Sequence, residues 1–466
     1  MRALRDVAPT AEQLGILSRN ELGVEIIRGA AGSGKTTTAL LRLRSLVGLF
    51  LSRRRRVKSE EPVRILVLTY NRTLRGYIDE LARHQVGAAE VELEVSTFSK
   101  WATQIIPTAQ IISRNERVKR IKEFGKTLPF DSQFLLDEVE YVMGRFTKSE
   151  LSNYLTARRD GRGTVPRVEK PLRERILNEV IIPYQNSIDS DSLWDWNDFA
   201  LFFSSNNIEQ PYDIIICDEA QDLSANELRA IKNQLAQESS ITFVLDTAQR
   251  IYARGYTWVE IGLTVRPEQV KRLSRNYRNT RQVAALASSV MLGIPADEDA
   301  TMPDFSKSSR DGNLPILLLG RFKSQADFVI NYIKKNIDLN HHSVAFLHPL
   351  GGGWFDDLKT YLNDAKLPFV EMTRKETWPK GNENIGLCTL HSSKGLEFDY
   401  VFILGLNAEV TKHGEEEEDD KLQTLRRLLA MGIGRARENV ILGYKPGAAS
   451  KLIDYLASDK VEVINV

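Results

Sequence analysis

The chain has 466 residues, 42% of them hydrophobic and 27% charged, a length that calls for about two to four folded units. No apolar run reaches the ~18 residues of a membrane span, and the charged start MRALRDVAPTAEQ lacks the apolar centre of a secretory signal. A formal net charge of +1 gives no global argument for a polyanionic partner, although a local basic groove would serve one.

An extended segment, Val24 to Arg28, runs into the glycine-rich loop GAAGSGKT and then a helical stretch from Thr36 to Phe50. The four arginines Arg53 to Arg56 read as a solvated loop. VRILVLTY (63–70) is a second strand, and VELEVSTF (91–98) a short extended piece. From Ser99 to about Trp196 charge is dense, and Phe134, Leu135, Val139, Tyr141 and Val142 recur at helical spacing, which predicts a helical insertion. DIIICDEAQD (213–222) and ITFVLD (241–246) return to continuous apolar runs, as in a parallel sheet buried on both faces.

A second α/β unit starts near Thr280. Its candidate strands are 315–320, 343–348, 385–390, 400–406 and 439–444, with helical segments at 324–337 and 354–365 between the earlier ones. The Gly351 to Gly353 run reads as a loop, and the acidic run Glu415 to Asp420 as a solvated loop. Cys217 and Cys388 each lie inside an apolar run and read as buried free thiols of a reducing cytoplasm, without disulfides. The fold class is α/β of the P-loop type. Residues 1–98 and 197–279 form a first unit, 99–196 a helical insertion, and 280–466 a second unit.

Gly29, Gly34, Lys35 and Thr36 have the spacing of a phosphate-binding loop, with Ala30, Ala31, Gly32 and Ser33 inside it and Thr37 after it. Its backbone N–H groups close around phosphate oxygens, and the following helix N-terminus favours their charge. Lys35 would bridge the β- and γ-phosphates, and Thr36 would hold Mg²⁺. Asp218 and Glu219 follow an apolar strand at its carboxyl end, where open α/β sheets bind ligands. There Asp218 can complete the Mg²⁺ shell while Glu219 orients and deprotonates water. Loop and carboxylates together point to nucleotide hydrolysis.

Several stretches resemble the UvrD/Rep family of superfamily 1 helicases, and the match spans both units. They are PTAEQ, GAAGSGKTT, DEAQD, VLDTAQRIY (244–252), LSRNYRNT (273–280), TLHSSKGLEFDYVFIL (389–404) and RRLLAMGIGRAR (426–437). The resemblance implies two tandem RecA-like units with ATP and Mg²⁺ between them. It implies that Gln13 reads adenine, Tyr277 stacks on it, and Gln249, Arg278 and Arg435 reach the γ-phosphate. Glu397, in the motif with Lys394, Gly395, Leu396 and Phe398, joins the nucleotide site.

The same resemblance implies 3′-to-5′ movement along single-stranded DNA, gripped alternately as the cleft closes and opens. Thr69, Tyr70 and Asn71 match one strand contact, Thr97 and Phe98 another, and His391 is a further candidate. Base stacking on aromatics is sequence-tolerant, which suits a motor. The run Ala253, Arg254, Gly255, Tyr256, Thr257, Trp258 lacks the family's aromatic at its usual place, and Trp258 is the candidate replacement. Gly434, Ala430 and Thr37 also depart from the family pattern. About a hundred residues separate Arg278 from Thr389, enough for a second RecA-like unit and little more, so the large accessory insertion is expected to be absent.

Two rivals stand beside the helicase reading. One is a DNA-stimulated ATPase that moves without unwinding. The other is an ATP-switched subunit working with a nuclease or a repair or defence partner. Backbone and stacking contacts do not separate RNA from DNA as the strand.

Overall fold

The computed structural model describes residues 9–17, 21–29, 32–70, 72–87, 90–159, 167–245, 256–273, 276, 278–294, 310–373, 375, 377–414, 416 and 419–466. Among them, β1 (Gly23–Gly29), β2 (Val63–Leu68), β3 (Val91–Ser96), β4 (Tyr212–Cys217), β5 (Leu235–Leu245) and β6 (Val270–Leu273) form one sheet. Its order is β3-β2-β4-β5-β1-β6, and every pairing is parallel. Successive side chains of a strand face opposite sides, yet Ile26 and Ile27 are both fully enclosed, because helices cover both faces. Helix α1 (Ala11–Leu17) precedes β1, α2 (Lys35–Val57) joins β1 to β2, and α3 (Arg72–Val86) joins β2 to β3.

The second sheet is built from β7 (Ile316–Leu319), β8 (Val344–His348), β9 (Val370–Glu371), β10 (Ile385–Thr389), β11 (Phe398–Ile403), β12 (Ala436–Tyr444) and β13 (Glu462–Asn465). Its order is β13-β7-β12-β11-β8-β10-β9, again parallel throughout. Helices Phe322–Asn336, Gly353–Asp364 and Asp420–Ile433 make crossovers. One face of each sheet contributes to a single continuous core. Ile27, Ile65 and Ile214 of the first unit share it with Leu347, Cys388 and Val401 of the second, and Tyr77 of α3 meets Trp378 across the boundary. The chain is thus an α/β protein of two parallel sheets.

Between β3 and β4 the chain is helical, with a core of its own around Ile121, Val139, Val142, Ile176, Val180 and Ile188. The helix starts are written locally: Ser113 accepts from Glu116 N and Asp131 from Phe134 N, and Asp195 and Asp198 form a reciprocal cap. The long helix from Lys170 to Ser190 widens into a π turn at Ile176–Ile181, just before Pro183, which has no N–H to give. Arg145 ties this segment to the first unit by pairing with Glu260 at 2.8 Å.

The structure corrects one element and adds three strands, along with helices such as α3 and Arg281–Met291. Arg53 to Arg56 are not a loop but the last turns of α2, where basic residues suit the helix dipole. Arg53 pairs with Glu238 at 3.0 Å and Arg54 with Asp213 at 3.1 Å. The added strands β6, β9 and β13 are short and lie at sheet edges, where no continuous apolar run is required. Gly351 and Gly352 take φ of 71° and 66° in the turn that starts Gly353–Asp364, and Asp420 opens a helix capped by Asp419. Glu415, Glu417 and Glu418 lie outside the described residues. Both cysteines are buried thiols. No helix among the described residues is long and apolar enough to cross a membrane.

Candidate functional site

β1 ends at Gly29 and α2 begins at Lys35, so the loop between them turns at the carboxyl edge of the first sheet. Gly32 and Gly34 take φ of 79° and 78°, a region that favours glycine. A Cβ on Gly32 would also run into Asn276, whose Oδ1 accepts from the backbone N–H of Arg278 at 3.0 Å and Asn279 at 3.1 Å. Gln13 is buried against this loop; its Oε1 accepts from Thr10 N at 2.8 Å and its Nε2 donates to Gly34 O at 3.2 Å. Lys35, Thr36 and Thr37 are half-buried at the start of α2. Ala30 and Ala31 lie outside the described residues, as do Gln249 and Tyr277.

Asp218 and Glu219 leave the end of β4 directly below this helix start. Thr36 Oγ1 donates to both carboxylate oxygens of Asp218, at 3.1 Å each. Burial, and then the charge of Glu219, push Asp218 up to about 7, against the Thr36 hydrogen bond and Lys35. For Glu219 burial pulls the same way, but Lys394, Arg435 and Lys35 together outweigh it and hold the carboxyl below its ordinary value. Glu219 has φ of 53°, uncommon for a residue with a side chain.

The second unit supplies the opposite wall. Lys394 Nζ bonds Asp222 and lies 3.5 Å from Glu219 Oε2, and Gln221 donates to that same oxygen. Arg435 is 3% exposed, with Nε 3.3 Å from Met431 Sδ and Nη1 donating to Leu396 O at 3.4 Å. Arg278 pairs through Nη2 with Glu397, which places Glu397 as the holder of an arginine in this state. Asn279 donates to Gly434 O at 2.9 Å and Thr280 N to Arg437 O at 3.2 Å, stitching the NYRNT segment to the last motif. Asn276, Asn279, Gln221 and Asp222 were not singled out from sequence. Their signal was adjacency to the singled-out residues, inside the same motifs.

The arrangement suits a bound nucleotide with a hard cation. Ser33 Oγ and the Nε and Nη1 of Arg278 are buried and have no hydrogen-bond partner among the described residues, as donors awaiting anionic oxygens would. Thr36 and Asp218 offer the oxygen donors Mg²⁺ prefers, and the raised Asp218 is a carboxylate short of positive charge. Among the described residues no group of three or more His, Cys, Asp or Glu side chains could hold a metal.

The residues expected to touch a strand fall at the carboxyl edges of both sheets. Thr69 follows β2, and its N–H donates to Ser96 O at 3.1 Å; the hydroxyls of Thr69 and Ser96 are both buried without a partner among the described residues. Tyr70 is half-buried beside them, and Asn71 lies outside the described residues. Thr97 caps the helix Phe98–Ile105 by accepting from Lys100 N at 3.3 Å. Phe98 is 4% exposed and packs on Trp101 at 5.6 Å between centroids. Its ring is spent on the core, whereas Tyr70 keeps part of its surface. Trp258 is half-buried, 5.2 Å from Phe243 and edge-on to Tyr256, whose hydroxyl donates to Ala220 O at 3.0 Å. His391 is exposed in the turn after β10.

Comparison with known proteins agrees with this geometry. Residues 11–255 match the UvrD/REP helicase N-terminal domain, and residues 354–446 the UvrD-like helicase C-terminal domain. A probable DNA helicase of Mycoplasma pneumoniae is 23% identical over 474 residues, covering 93% of this chain and 84% of that one. A probable DNA helicase II homolog of Mycoplasma capricolum is 22% identical over 77% of this chain, which spans about half (51%) of that protein. The ATP-dependent DNA helicase PcrA of Bacillus subtilis is 38% identical over a shorter stretch of 88 residues, 18% of this chain and 12% of that one.

Proposed function

We propose, from the premise that this chain belongs to the UvrD/Rep helicase family, that it hydrolyses ATP between its two units to move 3′ to 5′ along single-stranded DNA. The family places it among ATP-hydrolysing DNA helicases. The observation that carries the coupling is the company of Glu219. Lys35 is on its own unit, whereas Lys394 and Arg435 come from the other. Groups needed for hydrolysis therefore meet only when the cleft is closed, and a cycle of closing and opening follows from binding and turnover.

In this reading Gln13, held against the phosphate loop, reads adenine, and Lys35 meets the β- and γ-phosphates. Arg278 and Arg435 stabilise charge on the transferring phosphoryl group. Glu219 takes a proton from the attacking water. Mg²⁺ on Thr36 and Asp218 would neutralise phosphate charge. Tyr70, Thr97 and His391 would line the strand's path, with the paired carboxyl edges as its floor. We also take residues 1–98 with 197–279, 99–196 and 280–466 as the working units.

Strand separation tests the polarity. Duplexes with a 3′ single-stranded overhang should be unwound in the presence of ATP, and those with a 5′ overhang should not. The opposite preference would refute the direction. One observation favours a second reading, movement without unwinding. Between Arg278 and Thr389 the described residues form strands and crossover helices of the second sheet, with no separate accessory domain. ATP hydrolysis on single strands with both duplexes left intact would select it.

A further inference from the structure

We propose that Lys394 is a positioning residue that makes hydrolysis conditional on closure of the two units, an inference that rests on Glu219 being the base. Lys394 follows the short turn His391–Ser393 of the second unit and is 2% exposed. A buried ammonium is tolerated only when paired, and the two carboxylates it meets among the described residues both belong to the first unit. One is Asp222, 0% exposed, at the end of the turn Ala220–Asp222 that follows Glu219. The other is Glu219 itself, approached at Oε2 to 3.5 Å.

These contacts do more than neutralise charge. Gln221 and Lys394 both address Oε2, so among the described residues Oε1 is the oxygen left to take a proton from water. Lys394 also pins the turn from its far end through Asp222. Its own backbone is registered against the first unit by the next residue: Gly395, at φ of 80°, lies where a Cβ would meet Leu74 of α3 at 2.5 Å. Apposed units therefore bring the lysine to the turn, and separated units take it away. Without it, Glu219 keeps its chemistry but loses the restraint that aims it.

The test is steady-state ATP hydrolysis by the full chain on single-stranded DNA, with nucleotide affinity measured alongside. Lys394→Met is expected to lower kcat by about 10²-fold, the usual cost of a slightly misplaced group. KM for ATP and nucleotide affinity should stay within about twofold, since the lysine acts on the chemical step. Lys394→Arg should recover part of the loss. Adding Lys394→Met to Glu219→Gln should cost nothing further, because both act through one carboxylate.

Lys394→Met strands a buried Asp222, so the double variant Asp222→Asn/Lys394→Met removes both charges. It should unfold at the wild-type temperature and still turn over slowly. Wild-type kcat in either variant, or a loss that multiplies with that of Glu219→Gln, would overturn the inference. So would unfolding of both variants, which would make the lysine a structural tie. Wild-type turnover by Glu219→Gln would sink the base assignment and this inference together. That result is distinct from a normal Lys394→Met beside an inactive Glu219→Gln, which sinks only the inference.

Discussion

Glu219 sits in the left-handed backbone region at φ of 53°, a conformation that costs a non-glycine residue about 1–3 kcal/mol unless its surroundings enforce it. Those surroundings are the turn Ala220–Asp222, Gln221 and the lysine from the opposite unit. Glu219→Gln should bind ATP at near wild-type affinity and hydrolyse it very slowly, which single-turnover measurements with equilibrium binding will check. Lys35→Ala should lose tight nucleotide binding itself. Arg435→Ala should spare binding while turnover falls by about 10³-fold or more, as for an arginine finger. Of these residues the sequence showed the loop and the carboxylates clearly, because each motif is contiguous in the chain. What holds them was less legible. Asn276 under Gly32 and Lys394 over Glu219 are contacts between distant segments, and spacing along a chain carries no record of them.

Secondary elements were legible where burial demanded a pattern. The central strands, such as β2 and β4, are enclosed on both faces and so read as unbroken apolar runs. β13 at a sheet edge has an exposed, mixed sequence and was missed. The arginines closing α2 were read as a loop because charge alone does not reveal Asp213 and Glu238 waiting across the sheet. Two predictions belong at this scale. Gly395→Ala would drive a methyl into Leu74 of α3 and strain the backbone. It should cost about 1–3 kcal/mol in denaturant unfolding and hinder apposition of the units, lowering DNA-stimulated hydrolysis more than nucleotide binding.

The second concerns the cap of helix Trp196–Ser205. Asp198 accepts from Asp195 N at 2.7 Å, and burial raises its carboxyl from 3.8 to about 6 despite that bond. An acid raised in the folded state favours folding below its unfolded value and loses that contribution as pH climbs through about 6. Asp198→Asn keeps an acceptor oxygen and removes the titration. It should therefore stabilise the protein by about 2 kcal/mol at pH 7.5 relative to wild type and by much less at pH 4. Urea unfolding at the two pH values measures the difference. Equal gains at both would contradict the assignment.

At the scale of the whole molecule, a net charge of +1 gave no hint of a nucleic-acid partner. The case came instead from motif order across two sheets and from the core that the two units share. Lys394 and Arg435 of the second unit lie against Glu219 of the first, and Arg278 of the first pairs with Glu397 of the second, so the proposed cycle would link nucleotide state to the relation of the units. A strand lying over both edges would feel that linkage.

ATP hydrolysis by the purified chain, with and without single-stranded DNA and with Lys35→Ala as control, tests the claim of a strand-driven motor most directly. Strong stimulation by single strands that vanishes in Lys35→Ala is the predicted result. Hydrolysis indifferent to single strands, or none at all, would contradict it.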